Sequence, residues 1–153
     1  MIAYFHVQPR TGDIVDSLNG ISIYAGGAGT NYTSGEFVRR YYSKHLGHPL
    51  PANHSDNILS WFDIDLPDGS FNDNMQLYQF TNPSPSGCPQ ADDIVVLKGK
   101  QGEAGVVIQE TTQSTTIIRQ GAIFFREQEA LRERKTGCYI TNSRILGWMR
   151  KTK

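Results

Sequence analysis

The chain has 153 residues, 38% hydrophobic and 20% charged, with 15 Lys and Arg balancing 15 Asp and Glu. That length suits one domain with a real core, and a formal net charge of zero gives no reason to expect nucleic acid or an anionic membrane as partner. Two cysteines are too few for a disulfide framework and lack metal spacing, so the reading calls for no metal and no cofactor; a single Cys88–Cys138 bridge stays open.

From the N-terminus, "MIAYFHVQPR" has no basic n-region, and its apolar run is too short for a signal-peptide core. No apolar segment is long enough to cross a bilayer. The expectation is a cytoplasmic protein, or one exported without a cleaved signal. The first predicted strand is Gly20–Tyr24, "GISIY", where apolar and polar residues alternate. The Gly-rich "AGGAGTN" breaks it. Thr33 and Glu36 then have capping-box spacing, which predicts a helix with Thr33 as N-cap. Phe37, Val38, Tyr41, Tyr42 and His45 share one face of it, while Arg39, Arg40, Ser43 and Lys44 mostly occupy the other. "LGHPLP" stops the helix.

A second, shorter helix is predicted over Ser55–Phe62, capped by Ser55, and "DIDLPDGSFNDN" is read as loop. "MQLYQF" reads as a strand and "TNPSPSGCPQ" as a turn-rich connector. The strands "DDIVVLKG", "AGVVIQE", "STTIIRQ" and "AIFFRE" follow, with Gly121 separating the last two. "EQEALRERK" has helical propensity but few apolar anchors, so it reads as a turn of helix or an exposed extension. "GCYIT" and "RILGWM" close the chain. The pattern predicts an α+β fold, residues 1–153 as a single domain, with N-terminal helices packed on a mostly antiparallel curled sheet.

Charge is unevenly spread. From Ser55 to Asp93 there are seven acidic residues and no Lys or Arg, whereas from Arg126 onward eight basic residues face three acidic ones. These are either solvated edges or two patches that steer a protein partner.

Several pieces in this order, "YTSGEFVRRYY", "DDIVVLKG", "AGVVIQE", "TTIIRQG" and a terminal "GCYITNSRILGWM", resemble the CHAP amidase/peptidase family. The form most similar is the amidase half of glutathionylspermidine synthetase/amidase. The resemblance covers roughly Thr11 to Met149. It implies a papain-like (CHAP/NlpC-P60-like) fold in which a cysteine starts the first long helix, where backbone N–H groups and the helix dipole favour thiolate. A histidine on a facing strand serves as base, and a carboxylate or amide on the next strand orients it.

Carried onto this chain, the family pattern puts Ser34 at the cysteine, Ala104 at the histidine with Glu103 before it, and Arg119 at the orienting carboxylate. Gln120 matches the family's Gln, and Gly121 replaces its Asn. All three catalytic positions depart from the pattern. A serine hydroxyl needs a base to attack an amide, and Ala104 cannot accept a proton. Loss of nucleophile or base costs on the order of 10⁶ in turnover, so the resemblance implies a pseudoenzyme with Ser34, Ala104 and Arg119 as vestigial positions.

Nothing in the sequence requires another constellation to substitute. His45 lies roughly 16 Å beyond Ser34 along the helix, out of hydrogen-bond reach. His6, His48 and His54 are read as surface or capping residues, Cys88 as an unactivated loop thiol and Cys138 as a small buried hydrophobe. Trp61 and Trp148 are read as packing.

Three functions follow as expectations. In the first, the former cleft binds a peptide-like or carboxylate-bearing ligand or a protein segment, with Tyr32, Ser34, Glu103, Arg119 and Gln120 as candidate contacts. Arg119 would either grip a carboxylate or pair with Glu103 or Glu110. In the second, an accessory protein docks partners on its acidic or basic outer surface. In the third, an active amidase or peptidoglycan hydrolase uses Ser34 with an unrecognised base.

Overall fold

The computed structural model describes residues 9–27, 29–51, 57–111, 113–121, 126–134 and 137–152. Strands β1 (Ile14–Leu18) and β2 (Ile21–Tyr24) form a separate antiparallel hairpin. Helix α1 (Ser34–His45) follows, then a 3-10 turn at Ile58–Trp61. Strands β3 (Ser70–Asn72), β4 (Leu77–Thr81), β5 (Ile94–Leu97), β6 (Glu103–Glu110), β7 (Ser114–Ile118), β8 (Arg126–Arg134), β9 (Gly137–Ile140) and β10 (Ile145–Arg150) make one antiparallel sheet. Its order is β3-β4-β10-β5-β6-β7-β8-β9. The α+β class and the curled antiparallel sheet are as the sequence predicts.

The sheet has a core on each face, and side-chain alternation assigns residues to them. Ile94 and Val96 of β5 face α1, together with Val106, Ile118 and Met149. Val95 and Leu97 face the other way, with Val107, Ile117 and Trp148. A strand buried on both faces reads as the continuous apolar run "IVVL". The second core is wrapped by the curl. β9 comes round to the segment after β4, where Ser84 and Cys138 pair as an isolated bridge. Asn82 Nδ2 donates there to the carbonyls of Ile140 and Ile145. A Cys88–Cys138 disulfide fastens the closure, with Cα atoms 5.1 Å apart. Cys138 is thus buried, as expected, but bonded.

Helix α1 forms where its spacing predicts. Phe37, Val38, Tyr41 and Tyr42 are buried against the sheet, each contributing about 1.5–3 kcal/mol through burial. The two tyrosines also tie the helix to the loop before β5: Tyr41 Oη donates to the Asp92 carboxylate and Tyr42 Oη to the Asp92 carbonyl. Burial pushes both phenols well above their ordinary pKa. Gly47, at φ 61, ends the helix in a conformation that glycine alone adopts cheaply.

Four readings are corrected. α1 is the only α-helix among the described residues; of the predicted Ser55–Phe62 helix the described part is a 3-10 turn, Ile58–Trp61, and the cap Ser55 lies outside the described residues. "EQEALRERK" is not helical: Arg126–Arg134 is a strand between β7 and β9, because pairing on both sides overrides local propensity. The loop "DIDLPDGSFNDN" contains the short edge strand β3. β1 was not anticipated. Ala122–Phe125 of the predicted strand "AIFFRE", along with His6 and His54, lie outside the described residues.

Candidate functional site

The start of α1 is fixed by a hub around Gln120. Thr33 Oγ1 caps the helix by accepting from the Glu36 N–H at 3.3 Å. The Glu36 carboxylate turns to Arg40, whose Nε donates at 2.8 Å, and to Gln120 Nε2 at 2.9 Å. Gln120 Nε2 also donates to the Thr33 carbonyl, and its Oε1 accepts from the Tyr24 N–H and Arg40 Nη2. Arg40 reaches on to the Ser22 carbonyl and lies over the Tyr24 ring. β2, α1 and the end of β7 therefore meet at one buried amide. Burial opposes the charge on Glu36, but the bonds from Arg40 and Gln120 outweigh it and hold the carboxyl below its ordinary 4.5.

Ser34 is the first residue of α1, and its Oγ accepts from the Ala104 backbone N–H at 3.1 Å. Ala104 is fully buried near the start of β6. One residue on, Gly105 leaves the space that the Arg119 side chain crosses; a Cβ there would lie 2.6 Å from Arg119 Cγ. The Arg119 guanidinium is thereby delivered to two carboxylates, Nη1 to Glu103 Oε2 at 2.7 Å and Nη2 to Glu127 Oε1 at 2.9 Å. Glu103 Oε2 also accepts from Arg144 Nη2 at 2.8 Å.

A cleft of about 300 Å³ opens beside Ser34. Ser34, Glu103 and Gln120 line it, as do Gly27 and Gly121, which pack closely against each other. Lys100 and Arg144 bring positive charge to its wall and Ile58 an apolar one. Of the predicted contacts, Tyr32 and Arg119 are not in the lining. The Tyr32 ring packs on Tyr24 with centroids 5.0 Å apart, and Arg119 is consumed by its two carboxylates. Its partners are Glu103, as one reading had it, and Glu127 instead of Glu110. Gln120 lines the cleft with its amide already committed, so it positions the helix and does not greet a ligand.

Lys100 and Arg144 escaped the sequence reading. The turn "KGKQG", a basic residue between glycines at the β5–β6 connection, is the signal that marks Lys100; for Arg144 the sequence carries none.

The lining of the cleft carries hydroxyl, amide, carboxylate and cationic side chains. No imidazole among the described residues lines it: His45 stacks on Tyr41 at 5.0 Å, and His48 Nε2 lies 3.2 Å from the Met75 carbonyl. Ser34 Oγ acts as acceptor, from a backbone amide. No group of three or more His, Cys, Asp or Glu that could hold a metal ion occurs among the described residues, and no described helix is long and apolar enough to cross a membrane. In comparison with known proteins, no family model matches the chain, and no curated protein matches its sequence.

Proposed function

We propose that the chain is a CHAP-like domain of papain-like arrangement whose catalytic positions have been replaced, and that it works as a binding or regulatory module through the former active-site cleft. One observation carries the reading. Ser34 and Ala104, assigned to nucleophile and base by resemblance alone, are 70 residues apart in sequence and hydrogen-bonded at the edge of an open cleft. A papain-like nucleophile and base require that juxtaposition. The residues present there are a hydroxyl and a methyl group, and neither removes a proton.

The ligand is peptide-like and bears a carboxylate. Lys100, in no described ion pair, supplies its counter-charge, and Ile58 gives an apolar contact. Arg119 is not a ligand contact. Its role is to hold Glu103 and Glu127 and so to fix the cleft wall. As to compartment, the Cys88–Cys138 cross-link favours an oxidising location and hence export over the cytoplasm.

The test pairs calorimetry with mass-spectrometric detection of hydrolysis, using glutathionylspermidine and muropeptides as probes. Saturable binding without turnover, weakened about tenfold or more by Lys100→Glu, is the expected result. Turnover above background that Ser34→Ala abolishes would overturn the pseudoenzyme reading in favour of an active amidase. Absence of both binding and turnover would overturn the choice of cleft.

A further inference from the structure

We infer a second interaction surface, independent of the cleft, that docks a cationic polypeptide segment carrying an exposed apolar side chain. It lies at the β3 edge of the sheet. Among the described residues the exposed large hydrophobics are Ile14, Ile64 and Phe71, at 66%, 74% and 38%. Two of them belong to this one region. A groove of about 430 Å³ runs there between Phe62, Leu66 and Phe71, with Asp63 and Asp73 on its rim. Ile64 and Asp65 stand on the loop that forms one bank.

The apolar residues are held out to solvent by a built support. Buried Gln79 accepts from the Asp63 N–H at 3.0 Å through Oε1 and donates to the Asp63 carbonyl at 2.6 Å through Nε2. Asn72 Nδ2 donates to Gln79 Oε1 and to the Trp61 carbonyl, and Asn72 Oδ1 accepts from the Met75 N–H. Phe71 is set edge-on against Tyr78, with centroids 5.1 Å apart. The backbone carrying Ile64 is thus fixed by a buried amide pair, which removes much of the ordering cost of binding.

Charge selects the occupant. The described ion pairs engage Glu36, Glu103, Glu127, Asp16 and Asp93, and none involves Asp63, Asp65 or Asp73. No Lys or Arg occurs from Ser55 to Leu97. A groove that sets Phe62, Leu66 and Phe71 beside acidic residues in no described ion pair repels nucleic acid and anionic lipid, and it attracts a basic segment. A second copy of this chain is a poor complement. Its remaining exposed large hydrophobic among the described residues, Ile14, is flanked in sequence by Asp13 and Asp16, the wrong sign for this rim. The partner is therefore a separate basic polypeptide that inserts an aliphatic or aromatic side chain into the groove beside Leu66 and Phe71, with Ile64 on the adjoining loop.

Fluorescence anisotropy with a short synthetic peptide, leucines flanked by lysine and arginine, tests the surface. Saturable binding is expected, about tenfold weaker for Ile64→Ser or Phe71→Ser. Ile64 is the safer variant for folding because most of its side chain is in water. Asp63→Asn with Asp65→Asn and Asp73→Asn should weaken binding and flatten its salt dependence, while Lys100→Glu in the cleft leaves it unchanged. Equal binding of a peptide with glutamate in place of the basic residues, or of one without leucine, overturns the proposal. So does wild-type affinity in the Ile64→Ser and Phe71→Ser proteins. Sedimentation revealing dimers that Ile64→Ser dissolves would make the occupant a second copy and overturn it as well.

Discussion

The Ser34 hydroxyl and the Ala104 backbone N–H meet at 3.1 Å, joining the first residue of the helix to the strand that runs beneath it. If these positions descend from a thiol and an imidazole, restoring both should restore their chemistry. Ser34→Cys alone should show a modestly lowered thiol pKa from the helix N-terminus. Ser34→Cys with Ala104→His should bring it at least about one unit below the ordinary 8.5, read as the pH dependence of alkylation rate. An ordinary thiol in both proteins counts against the mapping. Ala104 is fully buried, so the histidine should cost about 1–3 kcal/mol of stability.

A third reversion, Arg119→Glu, should fail for a reason the structure supplies. It would place a third carboxylate between Glu103 and Glu127, where Arg119 now bonds both. Arg119→Ala should already lower stability by about 2 kcal/mol. That figure lies between exposed and buried ion pairs because the guanidinium is buried while its partners are partly exposed. Urea denaturation should rank wild type above Arg119→Ala above Arg119→Glu. Equal midpoints for the two variants would mean that charge at this position is indifferent.

Why this network was hidden in the sequence is instructive. Glu127 reaches Arg119 only because β8 pairs with β7 in the register that sets Ile117 opposite Glu127 and Ile118 opposite Arg126. "EQEALRERK" has too few apolar residues to advertise a strand, and its charges follow helical propensity until two neighbours claim its backbone. β5 was legible for the opposite reason: burial on both faces leaves an unbroken apolar run. α1 was legible because Thr33 caps it and its apolar spacing is regular. The β1–β2 hairpin did carry a signal. Asn19-Gly20, at φ 49 and φ 80, is the turn that suits a tight hairpin. In the site, Ser34, Glu103 and Gln120 are placed by the family resemblance, whereas Lys100 and Arg144 arrive from turns whose approach depends on the whole curl.

Asp68 makes the acid sensitivity of the fold predictable. Its carboxylate accepts from the Thr81 N–H, from the Ser84 hydroxyl, and from both the N–H and hydroxyl of Ser86. Burial works against the charge, but these bonds outweigh it and hold the pKa below the ordinary 3.8. Between the folded and the unfolded pKa the unfolded chain then binds more protons than the folded one. The stabilisation is fully present above about pH 4.5 and is lost as pH falls through the folded pKa. Asp16, lowered mainly by its bond from Arg126, and Glu36 act in the same direction. Asp93 opposes them: burial pushes it up to about 6 despite Arg150, so its contribution improves as pH falls from 6 toward 4. Asp68→Asn should therefore be less stable than wild type at pH 7 and should lose less on acidification. Parallel urea midpoints against pH for the two proteins would exclude a charged Asp68 as the clamp.

The Cys88–Cys138 cross-link gives the last expectation, and the largest. The two cysteines are 50 residues apart, a loop for which chain-entropy arguments give about 4 kcal/mol. The segment it ties down is also wired to the rest of the molecule. The Cys88 carbonyl accepts from Arg150 Nη2, and Arg150 pairs with Asp93, next to the Asp92 that receives Tyr41 and Tyr42 of the helix. Reduction, or Cys88→Ala with Cys138→Ala, should lower stability by about 2–4 kcal/mol, measured as the shift in urea midpoint with and without reductant. The effect should spread along that chain of contacts. Hydrogen exchange should quicken first in 82–93 and β9, next at Tyr41 and Tyr42, and least at the Gln120 hub, which anchors the other end of the helix independently. Loss of protection confined to the edge strand would show that the cross-link serves the curl of the sheet alone and leaves the helix unaffected.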